Sequence, residues 1–299
     1  MKKLFFVISC VSIIVFFVLC PAKATEASLN GIMLWYHNIF PVLFPCIIIS
    51  NIVLGTELLD GFKDSELMII VLIACGLSLG FPVGGKLTAD LYKRKYINYN
   101  QANYIFPLIN NISPSFVASV MLSQCLNMQN MTAVTFIILY APSAIMALYY
   151  GIKYKQNNNT KKEKIKKASR FRINMQIIDA GIISGFETLI KLCGYIVVFS
   201  IIVQIIKLIS YNDALIVSLV TGLVEVTNGV VNVGLLDTAP DTKYILSMFL
   251  ASFGGLSCFA QAKSIMDDTD ISPMNYMLTK ILLSAVTVIL SILVLFFLR

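Results

Sequence analysis

Four short clusters of polar and helix-breaking residues interrupt otherwise apolar runs, and they are where this chain could do chemistry. They are Pro82, Gly84, Gly85 and Lys86; Asn110, Asn111 and Ser113; Glu225, Thr227 and Asn228; and Gly254, Gly255, Ser257 and Gln261. Their amides and hydroxyls can each donate and accept hydrogen bonds. Glycines let a backbone approach a ligand closely. A helix restarting after such a break presents free N–H groups and partial positive charge, which favours an anion. The same residues also serve helix packing, where small residues permit close crossing and polar ones bond between helices. Glu225 is the sharpest of the set. It stands between Leu215–Val224 and Val230–Leu236, where a carboxylate costs several kcal/mol unless paired or wetted. It can contact a solute, carry a proton or pair with a cation. Lys86 is the best candidate to meet an anionic solute.

This chemistry recognises a small polar molecule; it does not make or break bonds. His37 is the sole histidine and reads as an interfacial side chain. Glu187 and Lys191, four residues apart, read as an ion pair on one helix face. Gly80–Lys86 fits the front of a GxxxxGK phosphate loop, but Leu87 stands where that pattern needs Ser or Thr. The seven cysteines contain no CxxC pair and read as small buried apolar residues. No catalytic residue, metal site or cofactor is expected.

These clusters must be held by membrane helices. Of 299 residues, 58% are hydrophobic and 13% charged, against about 45–50% and about 25% in soluble domains. So few charges cannot cover an aqueous surface, and the bilayer is the expected partner. Nine cations lie between Lys153 and Arg172, with Glu163 as the one acid. Flanked by long apolar segments, this run reads as a cytoplasmic loop under the positive-inside rule, not as a nucleic-acid site. The sequence leaves a homo-oligomer open.

The expected organisation is all-α and polytopic. Residues 1–24 form a short N-terminal membrane helix or signal anchor, with Ala22-x-Ala24 resembling a signal-peptidase site, so retention and cleavage both stay open. A first repeat covers 31–152, the basic loop 153–172 and a second repeat 173–299. Residues 31–54 contain Pro41 and Pro45 and are either a kinked span or a re-entrant hairpin. Loop charge favours the hairpin: the acidic stretch 55–66 and the segment Asp237–Lys243 then face outside, while Lys86 and Lys93–Lys95 face the cytoplasm. A helix at 67–79 and spans near 101–126 and 131–152 complete the first half. Residues 180–208 and spans near 214–235, 243–262 and 276–298 make up the second.

A shift of 143 residues places Pro82 on Glu225 and Asn111 on Gly254, so the two pairs have equal spacing. Each half carries one broken or hairpin segment and about three spans, an odd number, so the halves must be inverted relative to each other. Irregular backbone at membrane depth survives only where protein or a wet cavity satisfies it. The four clusters therefore point to a cavity at the junction of two inverted repeats, the recurrent plan of secondary transporters.

These stretches also resemble a known family. Phe40–Pro45, Gly80–Thr88, Asn110–Phe116, Gly185–Leu189, Glu225–Gly229 and Phe253–Ser257 with Gln261 are similar, in order, to the YlbJ-like sporulation integral membrane proteins. Those proteins carry the nucleoside-recognition Gate domain. The resemblance implies a multi-pass protein of the cell membrane, placed in sporulating cells in the outer forespore membrane, with a role in spore formation. It implies transport of dipicolinic acid as the favoured activity, with a nucleoside carrier and a non-transporting membrane partner as alternatives. The chain is shorter than the family's usual length, and the family's Gly-Tyr-Pro stands here as Gly80-Phe81-Pro82.

Overall fold

Helices account for all the regular structure in the described part of the chain. The computed structural model describes residues 2–56, 65–155, 174–209 and 213–297. Most of the basic loop, from Lys161 to Arg172, and the acidic residues Glu57, Asp60 and Asp64 lie outside the described residues.

The N-terminal helix α1, Lys2–Leu19, turns through 118° at Cys20 into α2, Pro21–Leu34. Phe16 of α1 packs on Ala24 and Ala27 of α2. The backbone stays helical through a π-helical turn, Trp35–Ile39, into α3, Phe40–Gly55. Pro41 falls in the first turn of α3, where no N–H is needed, and the adjacent π turn absorbs the misfit. The 35-residue helix α9, Met175–Ile209, runs antiparallel beside this segment. Gly31 abuts Val197 and Ser200, Gly185 abuts Phe44 and Ile48, Gly181 abuts Ile52, and Gly55 abuts Ile177. That monotonic order shows a segment that does not turn back. Residues 31–54 are therefore not the re-entrant hairpin that loop charge favoured.

The hairpins lie elsewhere. Helix α4, Glu66–Leu79, has 14 residues and α10, Ala214–Val224, has 11; both are too short to cross about 30 Å of hydrocarbon. Each folds back on its successor, α4 on α5 (Val83–Lys93) and α10 on α11 (Val226–Gly234). Both hairpins close on a glycine crossing. A Cβ on Gly84 would lie 3.2 Å from the Gly76 Cα, and one on Gly229 would lie 2.1 Å from the Gly222 Cα. The span expected near 214–235 is thus a hairpin, because 11 apolar residues end at Glu225.

Two broken spans and two whole ones complete the repeats. Helix α6, Tyr99–Ile109, stops at Asn110 and resumes at Ser113 as α7, Pro114–Phe116, continued by a π-helical stretch to Cys125. Helix α12, Pro240–Phe253, breaks at Gly254 and continues as α13, Gly255–Met266. The unbroken spans are α8, Thr132–Lys153, and α14, Pro273–Phe297. Among the described residues, five helices are long and apolar enough to cross a membrane, namely 99–125, 129–153, 175–209, 240–266 and 273–297. Each half thus consists of a long helix, a hairpin, a broken span and a whole span, and the two halves are inverted.

Sidedness follows from contacts at the helix ends. Lys155, at the start of the basic loop, pairs with Glu66 at 3.0 Å; Asn98 Nδ2 donates to the Tyr154 carbonyl; Lys93 pairs with Asp268 at 3.2 Å; and Arg94 donates to the Leu54 carbonyl. All of these ends share the basic face, which the positive-inside rule makes cytoplasmic. Glu66 and Leu54 are therefore on the cytoplasmic side, so the described ends of the segment expected outside are corrected to the face that Lys155 marks, to which a continuous α2–α3 leads; residues 57–64 lie outside the described residues. The opposite face gathers Lys207 with Asn232 and Lys243 with the Gly234 carbonyl.

Candidate functional site

The first hairpin enters from the cytoplasmic face and the second from the opposite face, so their tips, Gly80–Pro82 and Glu225, meet near mid-depth. Gly80 has φ +71°, and a Cβ there would stand 2.6 Å from the Ser113 Cα. Only glycine lets this tip sit against the break in the next span. The Phe81 N–H donates to the Asn111 carbonyl at 2.6 Å, and the Tyr140 hydroxyl donates to the Ile112 carbonyl at 2.9 Å. These bonds satisfy peptide groups that the break leaves without helical partners. The Gly85 N–H donates to Asn110 Oδ1 at 3.2 Å, and a Cβ on Gly84 would lie 2.4 Å from the Ile109 carbonyl oxygen. Gly84 and Gly85 therefore serve the crossing of two backbones, and neither lines the cavity between the breaks.

Glu225 caps helix α11. Its Oε1 accepts from the Thr227 N–H at 3.2 Å; its Oε2 accepts from the Asn228 N–H at 2.8 Å and from Asn228 Nδ2 at 2.9 Å. Three N–H donors and the start of a helix thus hold a carboxylate that has no cationic partner among the described residues. At the other break, Gly254 and Gly255 have φ +86° and +77°. A Cβ on Gly255 would lie within 3.1–3.4 Å of the Gly222, Leu223 and Val224 carbonyl oxygens, so the start of α13 packs directly over the end of α10.

The four breaks enclose a cavity of about 240 Å³. Phe81, Asn110, Ser113, Glu225, Thr227, Gly254, Cys258 and Gln261 line it from the breaks, His37, Leu43, Leu192 and Ile196 from the long helices, and Tyr276 and Lys280 from α14. Ser115 and Ser119, on the outer half of the first broken span, form its exposed rim. Three of the four predicted clusters thus contribute to a single space, and the first break adds Phe81, which was not among the predicted residues. The remaining predicted residues stand behind it or apart from it. Asn228 holds Glu225, Ser257 accepts from Gln261 Nε2 at 3.0 Å, and Gly255 is packing. Asn111 donates to Ser143 Oγ and to the Leu108 carbonyl, and its Oδ1 faces Lys280.

Lys86 and Pro82 are not in this cavity. They line a second pocket of about 170 Å³ nearer the cytoplasmic face, where Lys86 Nζ donates to Ser184 Oγ at 3.0 Å. The cation of the central cavity is Lys280, which the polar clusters did not point to. It is 2% exposed, donates to Asn111 Oδ1 and lies 5.8 Å from the centre of the Tyr276 ring. Among the described residues no carboxylate comes within 4.0 Å of it. Its signal was present in the sequence as a single lysine inside the apolar run 276–298, where an ionisable residue is a functional candidate by default. Tyr276, whose hydroxyl accepts from Asn110 Nδ2 at 3.3 Å, was missed as well. Glu187 and Lys191, read as a pair, make no ion pair with each other or with another described residue.

The chain is similar to the sporulation integral membrane protein YlbJ of Bacillus subtilis (strain 168), with 24% identity over 306 residues that cover 88% of this chain and 75% of that protein. No protein-family model and no solved structure matches the chain.

Proposed function

We propose that this protein moves a small anionic solute across the membrane during spore formation, by exposing the central cavity alternately to its two faces. The observation that carries the reading is Lys280: a buried lysine with a neutral amide for a partner, at a cavity built from four helix breaks. Such a cation is expensive in hydrocarbon and is retained where it meets something negative. The cavity is at the small end for ligand sites, which run about 300–1,000 Å³, so a compact solute fits best. The likeness to a sporulation membrane protein supports the setting. A planar dicarboxylate is the favoured solute, and dipicolinic acid, implied by the family resemblance, is its leading example. Its ring would lie among Phe81, Phe116 and Tyr276, and one carboxylate would reach Lys280. A nucleoside could use the same aromatic walls but would leave Lys280 without a counter-charge.

Purified protein in liposomes should take up labelled pyridine-2,6-dicarboxylate. Glu225→Gln and Asn111→Ala should lower uptake while the protein still accumulates in membranes. A strain lacking the gene should make spores poor in dipicolinate; normal spore content would count against that substrate. No solute flux, together with copurification of a second membrane protein, would replace transport with a partner role.

A further inference from the structure

The second pocket lies in line with the central cavity, along the same seam. One wall of both is α9; the other is the packed body of hairpins and broken spans. Leu192 and Gln261 line both spaces and form the partition between them. Gln261 is 5% exposed and held at one end only: Nε2 donates to Ser257, while Oε1 has no partner. Nitrogen and oxygen of an amide are assigned from their neighbours. With the amide reversed, Oε1 would take the Ser257 hydroxyl proton and the N–H2 would be offered to the space at the partition.

The cytoplasmic-side pocket has its own cations. Lys86, Lys93 and Lys191 line it against Asp90 and Asp268, and Asp268 already pairs with Lys93. Lys191 makes no ion pair among the described residues, and Lys86 donates to the neutral hydroxyl of Ser184. Thr188 and Tyr195, one turn to either side of Lys191 on α9, complete the polar wall.

We propose that this pocket is a second carboxylate site, in series with the central one, with Lys86 and Lys191 as its cationic arms and Gln261 passing the solute between the two. The proposal rests on the reading of the central cavity as a solute site. A solute leaving Lys280 toward the cytoplasm then meets Gln261 first, beside Leu192, and the lysine pair next.

Equilibrium binding of labelled pyridine-2,6-dicarboxylate to the full-length protein in nanodiscs tests this. Wild type should bind two equivalents per chain. Lys280→Met should lose one of them, and Lys86→Gln with Lys191→Gln should lose the other. Lys86→Arg with Lys191→Arg should keep both, which separates loss of charge from loss of fold. One equivalent in wild type, abolished by Lys280→Met and unchanged in the double Gln variant, would overturn the second site and leave the central one standing. No binding by wild type would overturn both.

Discussion

Replacing Lys280 by methionine separates a solute-binding lysine from a structural one, because the two roles predict opposite effects on stability. The side chain is 2% exposed, and its hydrogen-bond partner is the Asn111 amide. Such a bond contributes about 1.5–3 kcal/mol, but burying an unpaired ammonium costs several kcal/mol. Methionine of similar length removes both terms, so the variant should melt within a few degrees of wild type or above it. Binding behaves differently. Truncating one side of a buried, hydrogen-bonded charge pair costs about 2–5 kcal/mol, which is about thirtyfold to several-thousandfold in Kd. Thermal unfolding in detergent and titration with labelled pyridine-2,6-dicarboxylate measure the two quantities on one preparation. Unaltered affinity would refute the assignment. So would a large fall in melting temperature with binding retained by the surviving fraction, since Lys280 would then be holding the break at Asn111 and not the solute.

Two further predictions concern the frame. Gly229→Ala places a Cβ 2.1 Å from the Gly222 Cα, a backbone atom that cannot rotate away, so it should destabilise the second hairpin by about 3 kcal/mol or more; Gly194→Ala, with nothing within 4 Å, is the matched control. Equal melting curves for the two variants would refute the close crossing. A cysteine placed at Glu66 should react with an impermeant maleimide only from the cytoplasmic side, and one at Asp237 only from outside. Labelling of position 66 from outside would break the link that Lys155 draws between α4 and the basic loop.

The sequence made the broken elements legible because their cause is local. Proline, glycine and asparagine inside apolar runs report a helix that cannot continue, and all four clusters lie at or directly beside real breaks. The equal spacing between clusters likewise survives as the inverted repeat, although the residues that share it are not identical. Two misreadings have one source. Pro41 and Pro45 looked like a hairpin turn, but a π-helical turn keeps the chain helical, and only the antiparallel contact with α9 decides the matter. That contact joins residues about 150 apart, which no local pattern reports. Of the two readings of 31–54, loop charge favours the hairpin, and that choice puts Glu66 on the wrong face. Lys86 draws notice because it adjoins a glycine cluster, while Lys280 stands alone in an apolar run; position along the helices, not sequence proximity, decides which lysine lines the central cavity.

The two halves agree in backbone and disagree in chemistry, and that asymmetry bears on mechanism. Gly76 with Gly84 and Gly222 with Gly229 close two equivalent hairpins, the kind of symmetry that alternating access would use under the proposed function. Yet Glu225 and Lys280 both come from the second half. The first half offers the cavity neutral groups, Asn110 and Ser113, and carries its cation, Lys86, in the cytoplasmic pocket. Exchanging the conformations of the halves would therefore move the walls without reproducing the charges. Among the described residues that line the two pockets, the cations next to Lys280 are Lys86, Lys93 and Lys191, all toward the cytoplasmic face. Under the proposed function, the frame permits movement in both directions, and the placement of these lysines makes the cytoplasmic face the one where an anion is held last on leaving and first on entering.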